Sequence, residues 1–339
     1  MWPDRSPNPF IPLLIENLGA AYEIVGFNFR TALIGRYRIL HVHWPEVLVH
    51  SPSGLKRLVK LFLLSILIGL NRIRRVPHLW TVHNEKPHEP TTPVERLGLR
   101  LWRASCARRI YLTRAGLQAA ADSKGVVIVH GDYAQLRNSN GAHIAQPLPG
   151  QLITFGLLRR YKSLESLVES VRRLPDETGI SLLLAGQPMP EEYGLTLLRA
   201  CDEDRRISVS SKHHTDGELV RKITSSEFVV IPYGRVYNSG AALLALTLGR
   251  PVITTDSPTM RELRDEVGPE WVYCLRQDLS SESLLDAVHQ LRSYERPKFP
   301  RLQNRDWSTI GAQYAELYDE LISRSSRSIV TGGRRCSAT

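Results

Sequence analysis

The stretch 230–256, VIPYGRVYNSGAALLALTLGRPVITTD, leaves this chain few folding options. An apolar run ends at Ile231-Pro232, and a turn-rich segment then carries Tyr237, Asn238, Ser239 and Gly240. An apolar helical run follows and stops at Gly249, and Pro251 opens a second apolar run that ends at Asp256. Strand, loop, helix, glycine stop and strand make one βαβ unit, whose parallel strands call for helices on both faces. The small residues at 238–240 stand at the carboxyl end of the first strand. Free backbone N–H groups at the following helix N-terminus would suit a phosphate there.

The same alternation runs through the rest of the chain. After a proline-rich start, the pattern predicts a helix over 11–21, strands over 22–27 and 39–44, and a helix over about 54–74. A strand over 78–83, a helix over about 93–106 and short strands over 109–113 and 126–130 follow. A proline-bearing loop at about 131–150 separates the halves. Beyond it strands are expected at 152–155, 181–185, 206–209 and 271–275, with helices at 162–174, 190–201, 215–225 and 281–293. The expected fold is α/β, two doubly wound Rossmann-like domains (1–148 and 149–300) facing a central cleft. Residues 304–324 form an amphipathic helix, capped by Asp306 or Ser308, with a stripe of Ile310, Tyr314, Leu317, Tyr318 and Leu321. The Ser/Arg/Gly-rich tail over 326–339 reads as disordered.

At 339 residues the chain has room for about two domains. Its net charge of +10 suits anionic partners: phosphorylated substrates, nucleic acid or an anionic membrane surface. The four cysteines, 106, 201, 274 and 336, form no CxxC pair, which argues against a disulfide framework or zinc site and fits a reducing cytoplasm. No secretion signal is evident at the start. The apolar run 58–70 is too short to span a bilayer. Lys56, Arg57, Arg72, Arg74 and Arg75 flank it, so it reads either as a crossover helix buried on a sheet or as a surface that also rests on anionic lipid.

Several strand ends carry chemistry-bearing residues. Gly156 precedes Arg159, Arg160 and Lys162 at the expected start of a helix, where cations oppose the dipole unless a polyanion binds. Arg grips a diphosphate bidentately and Lys adds a point charge. In the first half, His41, His43 and Glu46 follow one strand, His83 ends the next, and His130 and Asp132 follow another. Strand alternation places His41 and His43 on one face, with Val42 and Trp44 on the other. A carboxylate or imidazole at such an end can act as general base toward a hydroxyl, and Glu46, His83 and Asp132 are the candidates. No Asp-x-Asp stands on a strand end, since Asp202-Glu203-Asp204 follows a helical run and reads as a solvated loop, and no nucleophile elbow or P-loop lysine motif is present, so no metal and no cofactor beyond a co-substrate are expected. No nucleic-acid motif accompanies the basic charge.

These segments resemble those of the GT-B glycosyltransferases, in particular the family-4-like bacterial enzymes of exopolysaccharide and glycolipid synthesis. FGLLRRYKS is similar to their donor motif, TVHN to their first-domain strand end, VHGDY to the segment closing that domain, and NSGAALLALTLGRPVI to their donor-side helix. DWSTIGAQYAELYDEL is similar to the helix that packs back across the domains. Among these enzymes, HWPE together with TVHN most resembles the GDP-mannose:glycolipid 4-β-mannosyltransferases. The resemblance covers about 15–325 and implies transfer of a hexosyl group, mannosyl by the last comparison, from a nucleotide diphosphate-sugar to a hydroxyl of a glycan or polyprenyl-linked acceptor. It implies that Gly156, Arg159 and Lys162 hold the donor diphosphate, that Tyr237, Asn238, Ser239 and Gly240 lie beside the donor, and that His83 contacts donor sugar or acceptor. Retaining members carry two glutamates where this chain has Val236 and Leu244. Another GT-B nucleotide-sugar enzyme, such as an epimerase, is the competing reading. The implied place is the cytoplasm, peripheral on the inner face of the cell membrane.

Overall fold

The computed structural model describes residues 9–84, 91–139, 141–202, 204–233 and 240–332, with the side chains of 142 and 326–332 excepted. The chain divides into two units, Met1–Gly131 with Asn304–Thr339, and Asp132–Gln303. The expected division between 148 and 149 instead falls inside a strand of the second unit.

Unit 1 begins with α1 (Phe10–Asn17) and α2 (Phe29–Ile34), followed by β1 (Leu40–Val42), α3 (Gly54–Ile73), β2 (His78–Val82), α4 (Pro93–Ser105), β3 (Cys106–Tyr111), α5 (Arg114–Ala120) and β4 (Gly125–Val127). The four strands pair in parallel in the order β1-β2-β3-β4. No strand forms over 22–27. Tyr22 instead donates its hydroxyl to Ala315 O (3.0 Å) and Asp319 Oδ1 (2.9 Å), while Ile24 and Val25 remain exposed. Side-chain anchoring replaces the ladder that the apolar run suggested.

Unit 2 runs through α6 (Ala134–Ser139), β5 (Leu148–Phe155), α7 (Leu164–Arg172), β6 (Ser181–Ala185), α8 (Tyr193–Cys201), β7 (Ile207–Ser210), α9 (Asp216–Thr224), β8 (Ser226–Ile231), α10 (Gly240–Thr247), β9 (Val252–Thr255), α11 (Pro258–Val267), β10 (Val272–Leu275) and α12 (Ser281–Ser293). Its parallel sheet has the order β10-β9-β8-β5-β6-β7. Successive residues feed opposite faces, as the pleat requires. Leu152, Leu182, Leu184, Val230 and Ile253 pack with α7, α8 and α12, while Ile153, Val229, Ile231 and Val252 pack with α9, α10 and α11. The strand order reverses between β5 and β8. Open α/β sheets bind ligands outside the carboxyl ends of strands at such a reversal.

The chain then returns to unit 1 as α13 (Trp307–Gly332). Asp306 Oδ1 accepts from Thr309 N–H (2.8 Å) and Ser308 Oγ (2.6 Å), so Asp306 supplies the cap. Ile310, Tyr314, Leu317, Tyr318 and Leu321 are all buried. With α1 they cover one face of the unit 1 sheet, and α2, α3 and α4 cover the other. The helix continues past the end expected at 324 as far as Gly332, into the stretch expected to be disordered, and 333–339 lie outside the described residues.

Candidate active site

Two sets of side chains stand at carboxyl strand ends, one in each unit. In unit 1, β1 and β2 deliver His41, His43, Thr81 and His83, and His130 follows β4. Phe10 of α1 sits among them, its ring 4.9 Å from His83, 5.0 Å from His130, 5.6 Å from His43 and 5.2 Å from Trp307. His41 is held at both nitrogens, by Tyr318 Oη at 2.7 Å and Thr81 Oγ1 at 2.8 Å, and Thr81 Oγ1 in turn lies 3.1 Å from Tyr314 Oη. Trp44 does not take the opposite face. The strand ends at Val42, the pleat is lost, and the indole stacks on His83 with centroids 4.5 Å apart and rings 15° from parallel.

Burial holds these imidazoles neutral. It lowers His41 to about 3 and His130 to about 4, and together with neighbouring histidines it puts His43 and His83 well below the usual range. His43 Nδ1 and His83 Nε2 are 3.1 Å apart. Two neutral rings sharing one hydrogen leave one lone pair and one N–H on their outer nitrogens. Neither His43 Nε2 nor His83 Nδ1 hydrogen-bonds to a described residue. The pair can therefore offer a donor and an acceptor to a sugar hydroxyl without carrying charge.

Glu46 lies in a 3₁₀ turn, Pro45–Leu48, just beyond β1. Burial raises its carboxyl above the usual range, its own backbone N–H opposing, and Oε2 is buried without a hydrogen-bond partner among the described residues. Asp132 belongs to unit 2, where its Oδ1 accepts from Ala134 N–H at 3.1 Å, at the start of α6. The structure thus groups Glu46 and His83 within one unit and gives Asp132 a local task in the other.

In unit 2, Gly156 follows β5 with φ +91°, a left-handed conformation that disfavours a side chain. A Cβ placed on it would stand 3.6 Å from Lys162 Nζ, which locates the ammonium directly over this glycine. The basic residues do not occupy the first turn of α7, as the sequence suggested. Arg160–Lys162 form a separate 3₁₀ turn, Ser163 turns left-handed (φ 54°), and α7 starts at Leu164 with Glu165 in its first turn. Arg160 lies over the Tyr193 ring at 4.9 Å, and Tyr193 donates to Glu165 at 2.6 Å. Lys162 is only 8% exposed. Its Nζ lies 5.5 Å from the Tyr233 ring centroid, beyond the end of β8, and it forms no ion pair with a described residue. Burial, then the charge of Arg159, lowers it to about 8. An ammonium buried at the strand-order reversal without an ion pair among the described residues is costly unless an anion joins it.

Gly240 opens α10, and Tyr237, Asn238, Ser239 and Val236 lie outside the described residues. Leu244 is buried with its neighbours from Ala242 to Thr247. Its side chain belongs to the core, so this helix turn offers a ligand nothing polar in the place of a glutamate. Phe10, Trp307, Tyr314, Tyr318 and Tyr233 were not singled out as site residues from sequence. The hint was present in the two tyrosines of the α13 stripe, where leucine would have served a core equally well.

No protein-family model matches the chain. A GDP-mannose:glycolipid 4-β-D-mannosyltransferase of Xanthomonas campestris pv. campestris is 33% identical over 326 residues, covering 95% of this chain and 91% of the relative. The chain belongs to this family of glycosyltransferases. A second enzyme of that name from the same pathovar is 32% identical over 322 residues, with the same coverage. Solved structures show the fold of the transferase to be GT-B. An α,α-trehalose 6-phosphate synthase from Burkholderia multivorans aligns with TM-score 0.63 over 97% of this chain and 78% of its own, at 14% identity. Anabaena Alr3699/HepE in complex with UDP and glucose aligns with TM-score 0.52 over 91% and 80%, also at 14% identity. The transferase acts on a nucleotide sugar, and among its described residues no helix is long and apolar enough to cross a membrane.

Proposed function

We propose that this transferase moves a mannosyl group from GDP-mannose to a hydroxyl of a glycolipid with inversion, without a metal. The sugar and acceptor follow the names of the relatives. The observation that carries the donor site is Lys162, an ammonium buried beside Gly156 without a counter-ion among the described residues. A diphosphate supplies that counter-ion, and its growing charge as the bond to C1 breaks is stabilised by Lys162 and Arg159. Tyr237, Asn238, Ser239 and Gly240 complete the donor side of this reading.

GDP-mannose carries its sugar through an α bond, so a β product requires attack from the opposite side. The acceptor oxygen bonds to C1, GDP departs with the electrons of the old bond, and the acceptor proton goes to a base. We assign that base to Glu46. Its buried Oε2 has an open lone pair, and burial strengthens it as a base, whereas burial weakens the His83 imidazole. His83, paired with His43, is then a neutral ligand for a sugar hydroxyl. Asp132 is the weaker candidate because its carboxylate already accepts from Ala134 N–H.

The acceptor belongs at a bilayer, and α3 supports a peripheral position. Leu64 and Leu67 bury its inner face, while Leu55 (73% exposed), Leu58, Val59 and Phe62 (65%) project outward among Lys56, Arg57 and Lys60. On this reading the inner face packs as a crossover helix does and the outer face meets anionic lipid. On this reading the enzyme rests on the anionic cytoplasmic leaflet and serves exopolysaccharide assembly.

The test combines GDP-[14C]mannose with an extracted polyprenyl-linked glycan, in chelator. Glu46→Gln should lower kcat by about 10²–10⁴ with little change in KM for the donor, and β-mannosidase should release the label. Full turnover by Glu46→Gln would remove the base assignment. A label resistant to β-mannosidase but released by α-mannosidase would remove inversion.

A further inference from the structure

We infer that unit 1 carries a second anion site, a phosphate-binding pocket at the amino edge of its sheet. This edge is opposite the strand ends that bear His83 and Glu46. A cavity of about 340 Å³ opens there, lined by Arg100, Arg103, Ala104, Arg109, Ser123 and Lys124. The lining holds four cations and no carboxylate.

Each wall is placed by a different element. Arg100 and Arg103 stand three residues apart near the end of α4 and so share one side of the helix. Arg109 rises from β3, and Ser123 and Lys124 form the turn into β4. Arg109 is fixed rather than free. Its guanidinium is gripped at two nitrogens by Asp122, and Nη1 donates to Arg103 O at 2.8 Å. Asp122 is fully engaged, accepting also from Tyr111 Oη (2.8 Å) and Lys124 N–H (3.0 Å), and its side chain is 1% exposed. Lys124 Nζ donates to Cys106 O at 3.1 Å, which holds the ammonium against the strand start and leaves its other protons unused. Arg100 and Arg103 form no side-chain hydrogen bond or ion pair with a described residue.

A helix C-terminus attracts cations, and that explains one arginine on the last turn of α4. It does not explain why cations from three elements meet around one cavity whose lining holds no carboxylate, Asp122 behind it being taken up by Arg109, Tyr111 and Lys124. A tetrahedral phosphate explains the meeting: two guanidinium forks, an ammonium and the Ser123 hydroxyl are the donors such a group takes. No aromatic ring lines the pocket, so it selects the phosphate and not a base. A phosphate or diphosphate ester reaches it either as a soluble molecule or as the head group of an anionic lipid.

The test uses the full chain carrying Lys162→Met, so that the donor site does not respond, and titrates inorganic pyrophosphate by calorimetry. One salt-sensitive site should remain, and Arg100→Ala/Arg103→Ala should weaken it about tenfold or more. Both side chains are exposed, and unchanged thermal melts confirm that the variant folds. Absence of the residual site, or a site indifferent to the double substitution, overturns the inference. Sedimentation with phosphatidylcholine vesicles, with and without phosphatidylglycerol, separates the sources. A loss of phosphatidylglycerol-dependent binding in the double variant supports the pocket with a lipid head group as its ligand. Unchanged sedimentation beside weakened pyrophosphate binding supports it with a soluble ester.

Discussion

Replacing Lys162 with methionine should make the protein more stable while removing its donor binding. The ammonium is buried and has no counter-ion among the described residues, and burial with the nearby Arg159 lowers it from 10.5 to about 8. Each unit of such a difference corresponds to about 1.4 kcal/mol, so at pH 7 the charge opposes folding by about 3 kcal/mol. The folded value lies below the unfolded one, so the unfolded chain holds the proton more tightly. The penalty is complete below pH 8, is relieved as pH rises from about 8 to 10.5, and is absent above that range. Methionine keeps a stem of similar length and drops the charge. The variant should therefore gain about 3 kcal/mol at pH 7, or about 2–4 °C in Tm per kcal/mol for a domain of this size. That gain should shrink toward zero by pH 10.5. Urea melts of both chains at pH 7, 8, 9 and 10 measure it, and calorimetry with GDP measures the loss of binding. A variant that is less stable at pH 7, or a difference that ignores pH, would refute the account of Lys162 as an unpaired buried cation.

Two other substitutions address the scaffold of unit 1. Asp122→Asn leaves the Arg109 guanidinium without its carboxylate partner and should destabilise by about 3–5 kcal/mol at pH 7. Arg109 holds the Asp122 carboxyl below its ordinary value, so the contribution is present above that value and is lost as pH falls through the depressed one; melts from pH 7 to pH 2 should show the two chains converging. Tyr318→Phe leaves His41 Nδ1 without its 2.7 Å partner inside a buried cluster, which should lower stability by about 1–3 kcal/mol in denaturant melts while the donor affinity of unit 2 stays unchanged.

The strand and helix order was legible because each element is short, apolar and punctuated by glycine or proline, as around Gly249-Arg250-Pro251. The reversal of strand order between β5 and β8 was not, since hydrophobic pattern says which residues are buried and not which strands are neighbours. The α13 stripe was read correctly from its spacing, yet spacing cannot say that Tyr318 meets His41, 277 residues away in sequence. Phe10 was hidden for the same reason, being one aromatic near a loop-like start that becomes the centre of three imidazoles. The basic cluster after Gly156 was visible, but its geometry was not. A left-handed Ser163 detaches Lys162 from α7, and that detachment permits the ammonium to turn inward over the glycine. The run 22–27 misled because its alternation is satisfied by tyrosine anchoring to α13 rather than by a sheet. Helix α11 was overlooked although Ser257-Pro258 is a sound start signal, Ser257 Oγ accepting from Met260 N–H at 3.2 Å.

The two sites divide charge in a way that fits an inverting transfer. In unit 1 burial holds His41, His43, His83 and His130 neutral and raises the Glu46 carboxyl above the ordinary glutamate value, so Glu46 is the proposed base among them that changes charge on the acid side. In unit 2 the group that changes charge is Lys162, with its value at about 8. Under the proposed mechanism the free enzyme needs Glu46 ionised and Lys162 protonated at once. The first condition fails on the acid side, at a pH above the ordinary glutamate value, and the second fails above about pH 8. A plot of kcat/KM against pH should be a bell bounded by these two groups. The alkaline limb should move upward in the plot of kcat, because a bound diphosphate restores the proton affinity that burial removed from Lys162. A profile flat from pH 7 to pH 10 would mean that the diphosphate is held by some group other than this lysine.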